Sequence, residues 1–133
     1  MPRYDIRIDA TTTDGITLRS VYLPHAPDDA DKIARIRESL MRGERFTRPV
    51  VLADAGDHHI ALSGVHRLCA AQGLDDVIDA VILPDDLGAD AWDLIDDAHD
   101  DEDMLEALIQ IGSDRDDMGD VIAAIRGEIE AAR

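Results

Sequence analysis

The residues of clearest chemical meaning in this sequence stand in one stretch, Ser63-Gly64-Val65-His66-Arg67. A short alternating apolar run from Ile60 breaks at Ser63-Gly64, and Leu68, Ala71 and Leu74 then follow at helical spacing. That pattern reads as strand, tight turn and helix. Glycine at such a turn leaves the backbone approachable, and the N–H groups that open the next helix lack intrahelical partners. Those donors, the positive end of the helix dipole and the side chains of His66 and Arg67 in the first turn suit an anion. A guanidinium grips phosphate through parallel hydrogen bonds. The chemistry suggested is phosphate binding, although the spacing alone also fits a plain strand-turn-helix with a solvated arginine.

A second group of charged residues precedes this turn. Six of the thirteen basic residues fall between Lys32 and Arg48: Lys32, Arg35, Arg37, Arg42, Arg45 and Arg48. Lys32, Arg35 and Ser39 share roughly one helical face and would flank the turn if it faces that helix. The alternative is a solvated basic face balancing Asp28, Asp29 and Asp31. Glu44 and Glu38 are the carboxylates nearest the motif and the only candidates for a catalytic base. No metal site is expected. His58 and His59 are adjacent in a strand and point to opposite faces, and His25 and His99 are isolated. Cys69 lies about one turn beyond the motif and is expected to face the core.

The elements that must position these residues follow from periodicity. Tyr4, Ile6 and Ile8 alternate, Asp14-Gly15 offers a turn, and Ile16 and Leu18 alternate again, as in a hairpin or a frayed strand before the first core strand. Ile33, Ile36, Leu40 and Met41 form the apolar stripe of a helix with acidic residues at its start and Gly43 at its end. Residues 49–53 and 58–63 read as strands, 65–72 as a helix stopped at Gly73, and 78–83 as the last strand, ended by Pro84. Beyond it only helical patterns remain: one through Trp92, Ile95 and His99, one through Met104, Leu105, Leu108 and Ile109, and one through Val121, Ile122, Ile125 and Ile129.

The chain has 133 residues, net charge −17, 45% apolar and 3% aromatic residues, and one cysteine. It suits one domain with an aliphatic core and no disulfide framework, and it lacks the ~18-residue apolar run of a membrane helix. A cytoplasmic location is the expectation, with no membrane contact. Residues 1–84 hold 13 acidic groups against 10 basic, whereas residues 85–133 hold 17 against 3. Such a chain should not bind duplex DNA directly. The acidic segment reads in three ways: solvated helix surface, a docking face for a basic protein partner or a second copy (even a mimic of DNA), or a flap that folds back on the basic helix and regulates the pocket. The bias to Asp and Arg also fits a salt-adapted source.

Gly64-Val65-His66-Arg67-Leu68-Cys69-Ala70-Ala71 resembles the G-x-H-R-x-x-A-A signature of the ParB/sulfiredoxin-like superfamily, whose members bind nucleotide phosphates at this turn. Arg48-Pro49-Val50-Val51-Leu52 and Asp79-Ala80-Val81-Ile82-Leu83-Pro84 resemble the flanking strands, so the likeness spans roughly residues 16–84. The resemblance implies a nucleotide, CTP or ATP/ADP, with or without Mg²⁺, held by Lys32, Ser39, Arg48, Ser63, Gly64, Val65, His66 and Arg67. Lys32 and Ser39 match hydrophilic helix positions of sulfiredoxin-like proteins, and Arg35 departs from them. Val65 stands where sulfiredoxin has its nucleophilic cysteine, so sulfinic-acid reduction is not expected. The extra arginine and basic DNA reader of ParB clamps are missing. Ser63 and Val65 also depart from the ParB-like small-molecule kinases, leaving hydrolysis or phosphoryl transfer open. The expected fold is therefore α/β: a small mixed sheet of about four strands flanked by helices over 1–84, with an acidic helical extension over 85–133 packed on it or on a partner. The rival to nucleotide binding is a noncatalytic plasmid- or phage-type accessory protein that keeps the fold while its acidic helices bind a protein.

Overall fold

Ile8, Ala10 and Thr12 point inward between outward-facing charged residues, and this period of two sets the first strand, β1 (Tyr4–Thr12). A turn at Asp14-Gly15 returns the chain antiparallel along β2 (Thr17–Leu23), with a register shift between Arg7 and Ala10. The expected hairpin is present. The computed structural model describes residues 4–46, 48–74, 77–98 and 100–131.

Helix α1 (Ala30–Met41) starts where the Asp29 carboxylate accepts the Lys32 backbone N–H at 3.0 Å. It stops at Gly43, whose φ of 86° lies in the left-handed region. Ile33, Ile36 and Leu40 pack on the core, but Met41 is 71% exposed. One residue past Leu40 is about 100° around the helix, which carries Met41 off the buried stripe.

Then come β3 (Val50–Asp54), β4 (His59–Ala61) and α2 (Val65–Ala71), followed by β5 (Val77–Ile78) and β6 (Ala80–Ile82). The fold is α/β with six strands rather than about four, in the order β5-β1-β2-β4-β3-β6. The run expected as one strand over 78–83 is two. β5 pairs with β1 at one edge and β6 with β3 at the other, with only Asp79 between them. One intervening residue spans little more than 7 Å, so the sheet must curl until its edges meet at this corner. Backbone bonds from Thr13 N–H to Ile78 O and from Val50 N–H to Asp79 O close it.

Alternate residues of the central strands feed two cores. Val50, Leu52 and Ala61 face α1 and α2, with Leu68 and Ala70 against them. Val51, Ala53, Ile60 and Leu62 face the other side, covered by Met104, Leu105, Leu108, Met118 and Ile125. That cover is built from α3 (Asp85–Gly88), α4 (Ala91–Asp97), α5 (Asp101–Gly112), a 3₁₀ turn (Asp116–Met118) and α6 (Gly119–Ala131). The acidic extension thus packs on the sheet. The helix expected through His99 ends at Asp97, and His99 lies outside the described residues. Among the described residues no helix is long and apolar enough to cross a membrane.

Candidate functional site

The turn between β4 and α2 is held by contacts that leave little freedom. Gly64 has φ 83°, and a Cβ there would lie 2.2 Å from Val50 Cγ1. Only glycine fits so close an approach in that conformation. The Ser63 hydroxyl accepts the Val51 backbone N–H at 3.0 Å, pinning the turn to β3. Val65 is buried beneath it. The helix that follows is only seven residues long, so its dipole is a minor contributor; the side chains carry the electrostatics.

A cavity of about 370 Å³ opens beside this turn. All eight residues named from the sequence line it: Lys32 and Ser39 from α1, Arg48 ahead of β3, and Ser63, Gly64, Val65, His66 and Arg67. Four further polar or aromatic lining residues escaped the sequence: His25, Arg45, Phe46 and Glu128. Ile36 and Leu40 add apolar wall. Lysine, three arginines and two histidines therefore converge in one hollow of a chain whose net charge is −17. Its size falls in the range of small-molecule sites.

The eight do not play equal parts. Arg67 is buried, donating Nη1–H to Arg48 O at 2.6 Å and Nη2–H to Glu128 Oε1. Arg48 Nε stands 3.6 Å from the same carboxylate oxygen. Burial pulls the Arg67 pKa below that of an ordinary arginine, and Glu128 opposes the shift. An arginine stays protonated even so. His66 Nε2 lies 3.0 Å from Asp28 Oδ1, and the Ser39 hydroxyl accepts from Arg42 at 3.2 Å. Arg45 reaches Asp79 at 2.8 Å, tying the cavity to the corner where the sheet edges meet. Lys32 is exposed at the rim.

Other expectations separate here. Glu44 and Glu38 do not line the cavity; both are drawn to Arg42, at 2.9 and 4.0 Å, and sit more than half exposed. Arg35 is exposed and outside the lining. Arg37 turns away and donates to Ala70 O and Gln72 O at the end of α2. Cys69 packs partly against the first core, and burial raises its thiol pKa, which weakens it as a nucleophile. His58 stacks on Tyr22, while His59 is buried, as opposite faces require. Among the described residues no group of three His, Cys, Asp or Glu could hold a metal ion. Only Glu128 could have been sought from sequence, as one of two acidic residues in a late helical pattern, and nothing in its spacing ties it to Arg67.

No family model, curated protein or solved structure matches the chain.

Proposed function

We propose that this chain is a ParB-like nucleotide-binding protein that holds the phosphates in the cavity beside Gly64. The observation that carries the reading is the convergence of Lys32, Arg45, Arg48 and Arg67 on one hollow of an otherwise acidic molecule. Isolated cations on such a surface would be scattered among carboxylates, whereas a concave cluster focuses potential and attracts an anion. The G-x-H-R resemblance supplies the ligand class, CTP or ATP/ADP, and Phe46 in the wall offers an aromatic face to the rest of the ligand. A divalent ion would arrive on the phosphates, since Mg²⁺ keeps most of its ligands as water and phosphate oxygen. The chemistry stays at binding. The cavity's one carboxylate, Glu128, is already paired with Arg67, and Glu38 and Glu44 are elsewhere.

Thermal denaturation with CTP, ATP, GTP and ADP, each with and without Mg²⁺, tests the proposal. A ligand at about 100 times its dissociation constant stabilises the fold by roughly 2.7 kcal/mol, enough to raise Tm by several degrees. The shift should vanish in Lys32→Ala, whose exposed side chain can be removed at little cost to stability. No shift with any of the four nucleotides would refute the proposal.

The second reading, a partner-binding accessory protein, draws on Asp93, Asp96, Asp97 and Asp100, which are exposed on and after α4. Replacing Asp96, Asp97 and Asp100 by Asn should abolish capture of a basic partner, and unchanged capture would reject it.

A further inference from the structure

Two arginines of the cavity already touch an anion that the chain itself supplies. Glu128 comes from α6, in the helical layer on the far side of the sheet, and lies 61 residues from Arg67 in sequence. Its Oε1 accepts from Arg67 Nη2 and stands 3.6 Å from Arg48 Nε. The Arg67 and Glu128 side chains are 9% and 12% exposed, so this is a buried pair. Among the described residues lining the cavity, Glu128 is the single carboxylate. The other cations lie nearer solvent, with Lys32 exposed and the Arg45 side chain 48% exposed. The cavity therefore has an inner anion seat on Arg67, filled by Glu128, and an outer one formed by Lys32, Arg45 and Arg48.

We propose that Glu128 is the specificity-determining residue of this site. It reserves the inner seat for a ligand bearing at least two phosphoryl groups. This rests on the nucleotide reading above and adds the ligand's phosphorylation state. A single phosphate satisfies the outer cations and leaves the buried pair intact. Arg67 cannot be stripped of its partner without leaving a buried charge exposed to nothing, so Glu128 yields only to another anion that reaches the same nitrogen. A second, covalently linked phosphoryl group does so, because the first anchors it at high effective concentration. Glu128 sits in the last turn of α6, which ends at Ala131, so it can leave by fraying that turn while the rest of the helix keeps its packing.

Isothermal titration of the full chain decides the matter, comparing wild type with Glu128→Gln. The probes are inorganic phosphate, pyrophosphate, and the mono-, di- and triphosphates of cytidine and adenosine. Glutamine keeps the size and one acceptor oxygen but gives up the charge. Pyrophosphate and at least one nucleoside triphosphate should bind the variant roughly tenfold tighter than wild type, while phosphate and the monophosphates change by less than about twofold. Equal gains for every probe, or no gain for any, would overturn the role of Glu128 and leave the nucleotide site standing. Failure of both proteins to bind any probe would overturn the site and this inference together. Should Glu128→Gln not fold, Glu128→Asp keeps the charge but shortens the reach. The same ordering of gains, smaller in size, is then required.

Discussion

Arg67 belongs to the fold as well as to the cavity, and this decides which substitutions are informative. Removing it leaves Glu128 buried without its partner, a change that costs about 3–5 kcal/mol. Urea denaturation of Arg67→Ala should show that loss, so its failure to bind nucleotide would say nothing separate about the site. Lys32→Ala has no such ambiguity. Gly64→Ala should be at least as damaging, by roughly 3 kcal/mol, since it combines a left-handed φ with a Cβ driven against Val50. A full-strength Tm for Gly64→Ala would mean that the turn is looser than its contacts indicate. His59 predicts a pH effect. Its Nε2 is buried and finds no hydrogen-bond partner among the described residues, and burial lowers its pKa. The unfolded chain then takes up a proton at about pH 6.5 that the folded chain refuses. Stability is unaffected above that pH and falls as the pH drops below it. In His59→Leu the decline between pH 7 and 5.5 should shrink, and an unchanged slope would place the titration elsewhere.

At the scale of elements, the short helix α2 depends on its neighbours, because seven residues cannot sustain a helix in water. Arg37 on α1 places its guanidinium on the Ala70 and Gln72 carbonyls, where a cation meets the negative end of the helix. Arg37→Ala should destabilise the protein by about 1–2 kcal/mol and speed amide exchange at Leu68 to Ala71 more than in the strands. Uniform acceleration everywhere would show that the contact has no local role. The same locality explains what the sequence reveals. The Gly64 turn, the Asp29 cap and the aliphatic stripes of α1 and α6 are short-range patterns, each carried by neighbours in the chain. The division of 77–82 into two edge strands depends on the curl of the whole sheet, and an apolar run interrupted by one Asp gives no sign of it. The basic cluster was legible as composition but not as geometry. Lys32, Arg45 and Arg48 reach the cavity, while Arg37 and Arg42 are spent on nearby backbone and carboxylates. Glu128 was beyond reach because an ion pair across 61 residues leaves no periodic trace.

For the molecule as a whole, the charge distribution sets a balance between long-range repulsion and short-range attraction. Carboxylates of α4 and α5 crowd one layer: Asp93, Asp96, Asp97, Glu102, Asp103 and Glu106 are all exposed. At 0.01 M salt the screening length is about 30 Å, so these charges repel across the whole domain; at 0.1 M it is about 10 Å. Self-repulsion of this kind destabilises the compact state. The exposed pairs that salt would weaken, such as Arg42 with Glu44, contribute little on their own. Raising NaCl from 0.01 to 0.5 M should therefore increase Tm by several degrees. Replacing Asp93, Asp97 and Asp103 by Asn should raise Tm at low salt and flatten that dependence. The Arg67–Glu128 pair is buried and only weakly screened, so Arg67→Ala should lower Tm at every salt concentration by a similar amount. If Tm instead fell with added salt, the carboxylates would have to be engaged in favourable networks rather than in mutual repulsion. The acidity would then belong to the construction of the helical layer and not to its freedom to meet a partner.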